Sequence, residues 1–86
     1  MTTKVKVLYF ASLREAVGRS GEELELPIDV ATVGALRTHL AGRGEGWHAL
    51  AAGRNVRAAL NQRMVGGEAA VAAGDEIAFF PPVTGG

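Results

Sequence analysis

Between Lys4 and Phe10 the chain alternates without a break. Val5, Val7 and Tyr9 fall on one side, and Lys4, Lys6, Leu8 and Phe10 on the other. Period two marks a strand with one buried face. The first set is the core face. The second begins charged but turns apolar at Leu8 and Phe10, which is unusual for a face turned to water.

Further along, Ser12 to Val17 reads as a short helix. Ser12 serves as its N-cap, Glu15 completes a capping box three residues on, and Gly18 stops it. Glu22 to Leu26 alternates again, and Pro27 ends that strand or leaves it at an edge. The two strands form a hairpin with a long, partly helical connection.

Thr32 caps the main helix, Val33 to Ala41, whose Val33, Leu36 and Leu40 form one apolar stripe. Gly42 fits its end, and Gly34 weakens it. Trp47 to Ala52 is one further helical turn, with Trp47 and Leu50 facing inward and Gly53 closing it. Asn55 to Asn61 is a strand with Val56, Ala58 and Leu60 on one face. Met64-Val65, Gly66-Gly67 and Glu68 to Val71 read as a short strand, a tight turn and a short strand. After a turn at Ala73-Gly74-Asp75, Glu76 to Phe80 is the last strand. This order predicts a mixed sheet on one main helix, with first and last strands parallel.

Composition narrows the function classes. The chain has 86 residues, enough for one small domain, and is 48% hydrophobic, too apolar for disorder. No apolar run approaches the roughly 18 residues of a membrane span, and Met1-Thr2-Thr3 leads straight into a strand with no leader-like core. The expected compartment is the cytoplasm. Lys plus Arg and Asp plus Glu each number 9, so nothing points to nucleic acid or an anionic membrane as partner. There is no cysteine, which excludes thiolate chemistry, Cys-ligated metal and disulfides.

His39 and His48 lack a second ligand at metal spacing, and both read as surface or packing residues. Gly42, Gly44 and Gly46 follow a helix rather than a strand, so they are not a dinucleotide fingerprint. Tyr9 and Trp47 read as core or boundary aromatics.

The chemistry gathers at the end: Phe79-Phe80-Pro81-Pro82-Val83-Thr84-Gly85-Gly86. Two prolines fix φ and withhold ladder donors, so they end the strand and begin a stiff, extended stalk. From Pro81 to Gly86 it reaches roughly 20 Å at about 3.3 Å per residue. A final Gly-Gly leaves its carboxylate unhindered by side chains, suited to insertion into another protein's active site. The competing reading is an idle, frayed terminus.

With that element order and tail, the chain resembles the ubiquitin-like β-grasp sulfur carriers, most of all the MoaD family of molybdopterin synthase small subunits. The resemblance rests on Lys6-Val7-Leu8-Tyr9-Phe10-Ala11, Leu13-Arg14-Glu15, Thr32-Val33, Ala35-Leu36-Arg37, Ala59-Leu60-Asn61-Gln62 and Gly74 to Gly86. It implies an α+β, β-grasp fold over residues 1–80, with a mixed sheet on one main helix, short extra helical turns, and a flexible C-terminal tail over residues 81–86.

It also implies a role. An E1-like adenylating enzyme uses ATP to activate the Gly86 carboxylate, and sulfur then displaces AMP to leave a thiocarboxylate. The tail, Pro81, Pro82, Val83, Thr84 and Gly85, inserts into the large synthase subunit in a heterotetramer of two small and two large subunits. The sulfur goes to cyclic pyranopterin monophosphate. The chain binds no cofactor or metal and supplies no catalytic side chain. Phe10, Met64 and Phe80 match apolar partner contacts in the family, and Arg14 a polar one.

Placing first and last strands side by side explains the odd outer face of the first strand. Leu8 and Phe10 then adjoin Ala78 and Phe80, making an exposed apolar patch at the base of the tail, with Met64 as a candidate member. The competing expectation is that Phe10 and Phe80 are core. Other functions remain open at this point: sulfur donation to thiamine or tRNA thiolation, conjugation of Gly86 to lysines as a protein modifier, or a pure interaction domain.

Overall fold

The computed structural model describes residues 3–51 and 55–82. The main helix and all but one of the expected strands are present. Strand β1, Thr3–Tyr9, runs into helix α1, Ala11–Val17, then β2, Gly21–Leu26. Helix α2, Val33–Ala41, is followed by a 3-10 turn over Trp47–Leu50, then β3, Arg57–Leu60, β4, Arg63–Val65, and β5, Glu76–Phe80. One five-stranded sheet has the order β2-β1-β5-β3-β4. Its central pair, β1 and β5, is parallel, and the other pairs are antiparallel.

The helix side of the sheet holds the core. Val5, Val7 and Tyr9 from β1 and Ile77 and Phe79 from β5 meet Val33, Leu36 and Leu40 of α2, with Leu13 and Leu50 at the ends. All are buried, so the alternation in β1 and the stripe on α2 report the same interior. Each such aliphatic side chain contributes about 1.5–3 kcal/mol by leaving water. Thr32 caps α2 as expected, its hydroxyl accepting from the Ala35 amide at 3.1 Å.

Several local expectations fail for identifiable reasons. Ser12 is not an N-cap. Helix α1 starts directly from β1, with Phe10 in the extended cap position and no side-chain cap, so the capping box with Glu15 does not form. A left-handed Ala11, φ 53°, makes the sharp turn instead. Gly18 does end α1 in the left-handed region, φ 81°, but Gly42 ends α2 at φ −77°, where any residue fits.

The turn near the fourth strand lies upstream of its expected place. Asn61 and Gln62, φ 50° and 70°, form the two-residue connection between β3 and β4, so Asn61 is turn rather than strand. The Asn61 side chain bonds the Glu76 amide and Asp75, which anchors the start of β5. Glu68 to Val71 forms no strand. Only Ala70 bridges, to Thr32, because this segment is spent on the main helix: the Gly67 and Ala69 carbonyls accept from the Gly34 and Val33 amides at 2.8 and 2.9 Å. The expected close at Gly53 lies outside the described residues.

Candidate functional site

The register of the sheet places the expected patch and extends it. Residues paired across neighbouring strands share a face. Leu8 pairs with Gly21 on one side and Ala78 on the other, Ala78 with Ala59, and Ala59 with Met64. These five residues make one apolar row across all five strands on the face opposite the helices. Ala59 is buried yet stands outside the core cluster, as its place in this outer row requires.

The next row toward the tail holds Phe10, Phe80 and Arg57. The Phe10 amide donates to the Phe79 carbonyl at 3.1 Å, which carries the parallel ladder one step past β1 and sets Phe10 beside Phe80. Arg57 is the direct cross-strand partner of Phe80. The row on the other side is charged: Glu23, Lys6 and Glu76. The outer face is therefore zoned, with charge at one end, an apolar band across the middle, and aromatic rings at the end where the chain leaves β5.

Phe10 is 46% exposed and Met64 62%, so neither is core. Phe80 is half-buried on the same side. Arg14 is exposed on α1 one turn beyond Phe10, its amide reaching the Phe10 carbonyl at 3.4 Å. Phe10, Arg14 and Phe80 thus lie near the point where the tail begins, and Met64 stands in the adjoining row on the edge strand β4. Pro81 and Pro82 are half-buried and belong to no strand. Val83, Thr84, Gly85 and Gly86 lie outside the described residues. Arg57, Ala59 and Gly21 join the site without having been picked out from sequence. The signal was available for β3, since Arg57 and Ala59 alternate with the inward Val56, Ala58 and Leu60.

The end of β1 is held from behind. The buried Tyr9 hydroxyl donates to Glu22 Oε2 at 2.9 Å, and Arg19 and Arg43 both pair with that carboxylate. Arg43 also stacks over Trp47 at 4.6 Å, and Trp47 meets the Tyr9 ring edge-on at 5.4 Å. This cluster fixes the backbone that presents Phe10.

On the helix side, a cavity of about 210 Å³ is lined by Val33, Arg37, Val56, Ala58 and Phe79 among others. Arg37 bonds the Leu50 and Ala51 carbonyls at 2.6 and 2.9 Å, and burial lowers its pKa from the usual value. That cavity lies across the sheet from the apolar row. Among the described residues no cluster could hold a metal ion, and His39 and His48 are both exposed. No helix there is long and apolar enough to cross a membrane.

A mixed sheet wrapped around one helix, with a central last strand that leads into a Gly-Gly tail, is the ubiquitin-like β-grasp, here with an apolar outer face at the root of the tail. Two curated relatives are the molybdopterin synthase sulfur carrier subunits of Escherichia coli, 44% identical, and Haemophilus influenzae, 46% identical. Each match spans 95% of this chain and 99% of the relative. Among solved structures, the small archaeal modifier protein 1 of Haloferax volcanii superposes with a TM-score of 0.74 at 28% identity, over 94% of this chain and 99% of that one. Residues 7–86 match the model of the ThiS family, and the chain belongs to that family.

Proposed function

We propose that this chain is the sulfur carrier subunit of a molybdopterin synthase and that Gly86 is its reactive residue. The observation that carries the reading is the zoned outer face: an apolar band and two Phe rings sit where β5 gives way to Pro81. Such a face suits a partner that must grip the body while receiving the tail. The relatives named as sulfur carrier subunits, matched along nearly their whole length, support the same reading.

The chemistry follows from the terminus. A carboxylate is a poor electrophile. Adenylation by an E1-like enzyme, at the expense of ATP, gives the Gly86 carbonyl a good leaving group. A sulfur nucleophile attacks that carbon, the C–O bond to AMP breaks, and AMP leaves with the electron pair. The thiocarboxylate then presents a soft nucleophilic sulfur at the end of a thin arm. Docking of the body on the large synthase subunit places that sulfur against the pterin precursor, and proximity supplies much of the catalysis. The carrier needs no general base of its own, and the last titratable side chain before the tail is Glu76.

A second reading, favoured by the likeness to the small archaeal modifier protein, is conjugation of Gly86 to lysines of other proteins. The intact mass of the chain purified from its own cells separates the two. Replacement of one terminal oxygen by sulfur supports the carrier, and amide-linked adducts on foreign lysines support the modifier. A chain lacking Gly86 that still supports sulfur transfer would reject the carrier reading.

A further inference from the structure

We infer that the body is built to keep amine nucleophiles beyond the reach of its own activated end, with Arg57 as the position that guards the root of the tail. The inference rests on the reading that Gly86 is activated. The acyl group that accepts sulfur would equally accept a lysine. In that side reaction the lysine nitrogen bonds the Gly86 carbonyl carbon, the bond to AMP or thiol breaks, the leaving group takes the electron pair, and the amine proton passes to water. The product is an amide that can no longer carry sulfur. Within one molecule the effective concentration of a nearby amine can be very large.

The cations are distributed accordingly. Of nine, only Lys4 and Lys6 are amines, and the other seven are arginines. A guanidinium stays protonated at any ordinary pH and does not attack acyl carbon. Both lysines lie toward the start of β1. Because β1 and β5 are parallel, that is the end of the sheet away from the tail. Lys6 is level with Glu76, four residues before Phe80, so it stands roughly 13 Å behind the root of the tail, and Lys4 roughly 20 Å behind, at about 3.3 Å per residue.

Pro81 and Pro82 carry the chain forward from Phe80. Four residues after them reach at most about 14 Å in any direction, too short to return comfortably to Lys6. By contrast, the position beside Phe80, about 5 Å across the ladder, is an exposed arginine.

The test uses the full chain carrying a small-thiol thioester at Gly86, prepared by intein cleavage, so that no activating enzyme is involved. Wild type, Arg57→Lys and Arg57→Gln are incubated at mildly alkaline pH and followed by intact mass, with tandem mass spectrometry to locate any amide. Wild type and Arg57→Gln should only hydrolyse. Arg57→Lys should form an internal amide, one water lighter than the hydrolysed chain, at a rate independent of chain concentration and about tenfold or more above hydrolysis. The inference fails if wild type couples Gly86 to any amine of the same chain, whether Lys4, Lys6 or the α-amine, or if Arg57→Lys loses its thioester no faster than wild type. A chain that is never charged in its own cells would sink the proposed function and leave this result standing.

Discussion

Leu8 lies directly across Gly21. A Cβ built on Gly21 would stand 2.9 Å from the Leu8 Cδ2 and 2.9 Å from the Val7 carbonyl oxygen. Glycine at this place in the edge strand lets Leu8 lie flat and lets the apolar row run on to the sheet's margin. Gly21→Ala must therefore move either Leu8 or the β2 backbone. The expected loss is about 1–3 kcal/mol, as for other overpacked sites. Urea denaturation measures it, and an unchanged midpoint would show that Leu8 rotates away freely.

Phe79 and Phe80 are adjacent in sequence and opposite in consequence. Phe79 is wholly buried in the core, whereas Phe80 stands half-buried beside Phe10 and Arg57. Phe79→Ala should cost about 3–5 kcal/mol of stability. Phe80→Ala should cost within about 1 kcal/mol and weaken binding to the large subunit by about 2 kcal/mol, roughly thirtyfold, as for an aromatic anchor. Denaturation and calorimetric titration on the same pair of variants check both halves. A stability loss of several kcal/mol at Phe80 would place it in the core after all.

The strands and main helix were legible because one rule governs them: a residue facing the interior must be apolar, and period two or 3.6 shows which ones do. The outer apolar face was legible from the departure at Leu8 and Phe10, since a solvent face has no reason to lose its charge. What could not be read were features set by partners distant in sequence. Nothing local distinguishes Glu68 to Val71 from a strand. The Ala69 carbonyl, and that of Gly67 just before the segment, go to the Val33 and Gly34 amides because the fold brings α2 there. Ser12 has the right chemistry for a cap, but the chain turns a residue earlier, at Phe10 and Ala11, so that the Phe10 amide stays on the ladder, bonded to the Phe79 carbonyl.

Gly34 shows the same long-range constraint in energetic form. Alanine is favoured over glycine by about 1 kcal/mol inside a helix. Here a Cβ would stand 3.0 Å from the Gly67 oxygen, which already accepts from the Gly34 amide at 2.8 Å. The added methyl pushes against the same atom that the amide holds, so the hydrogen bond has to lengthen. Gly34→Ala is expected to destabilise on balance despite its better helix propensity, by about 1 kcal/mol, the worth of a typical hydrogen bond. A gain in thermal midpoint would show that the Gly66-Gly67 loop yields.

Tyr9 is the only tyrosine in the chain, which makes its titration directly readable. Burial pushes its pKa up, the hydrogen bond to Glu22 and that carboxylate's charge push it further, and Arg43 and Arg19 oppose them. The group is neutral in both folded and unfolded chains below about pH 10, the ordinary tyrosine value, so its full contribution is present there. Above pH 10 the unfolded chain loses the proton and the folded one keeps it. Stability then falls with rising pH by up to about 1.4 kcal/mol per unit until the folded hydroxyl ionises as well. Tyr9→Phe should cost about 1–2 kcal/mol at neutral pH through the lost bond to Glu22. The difference in stability between wild type and Tyr9→Phe should be flat to pH 10 and shrink above it. Phenolate absorbance is the direct check. Ionisation of the folded protein near pH 10 would mean that the hydroxyl is open to solvent and that the Glu22 cluster does not close over it.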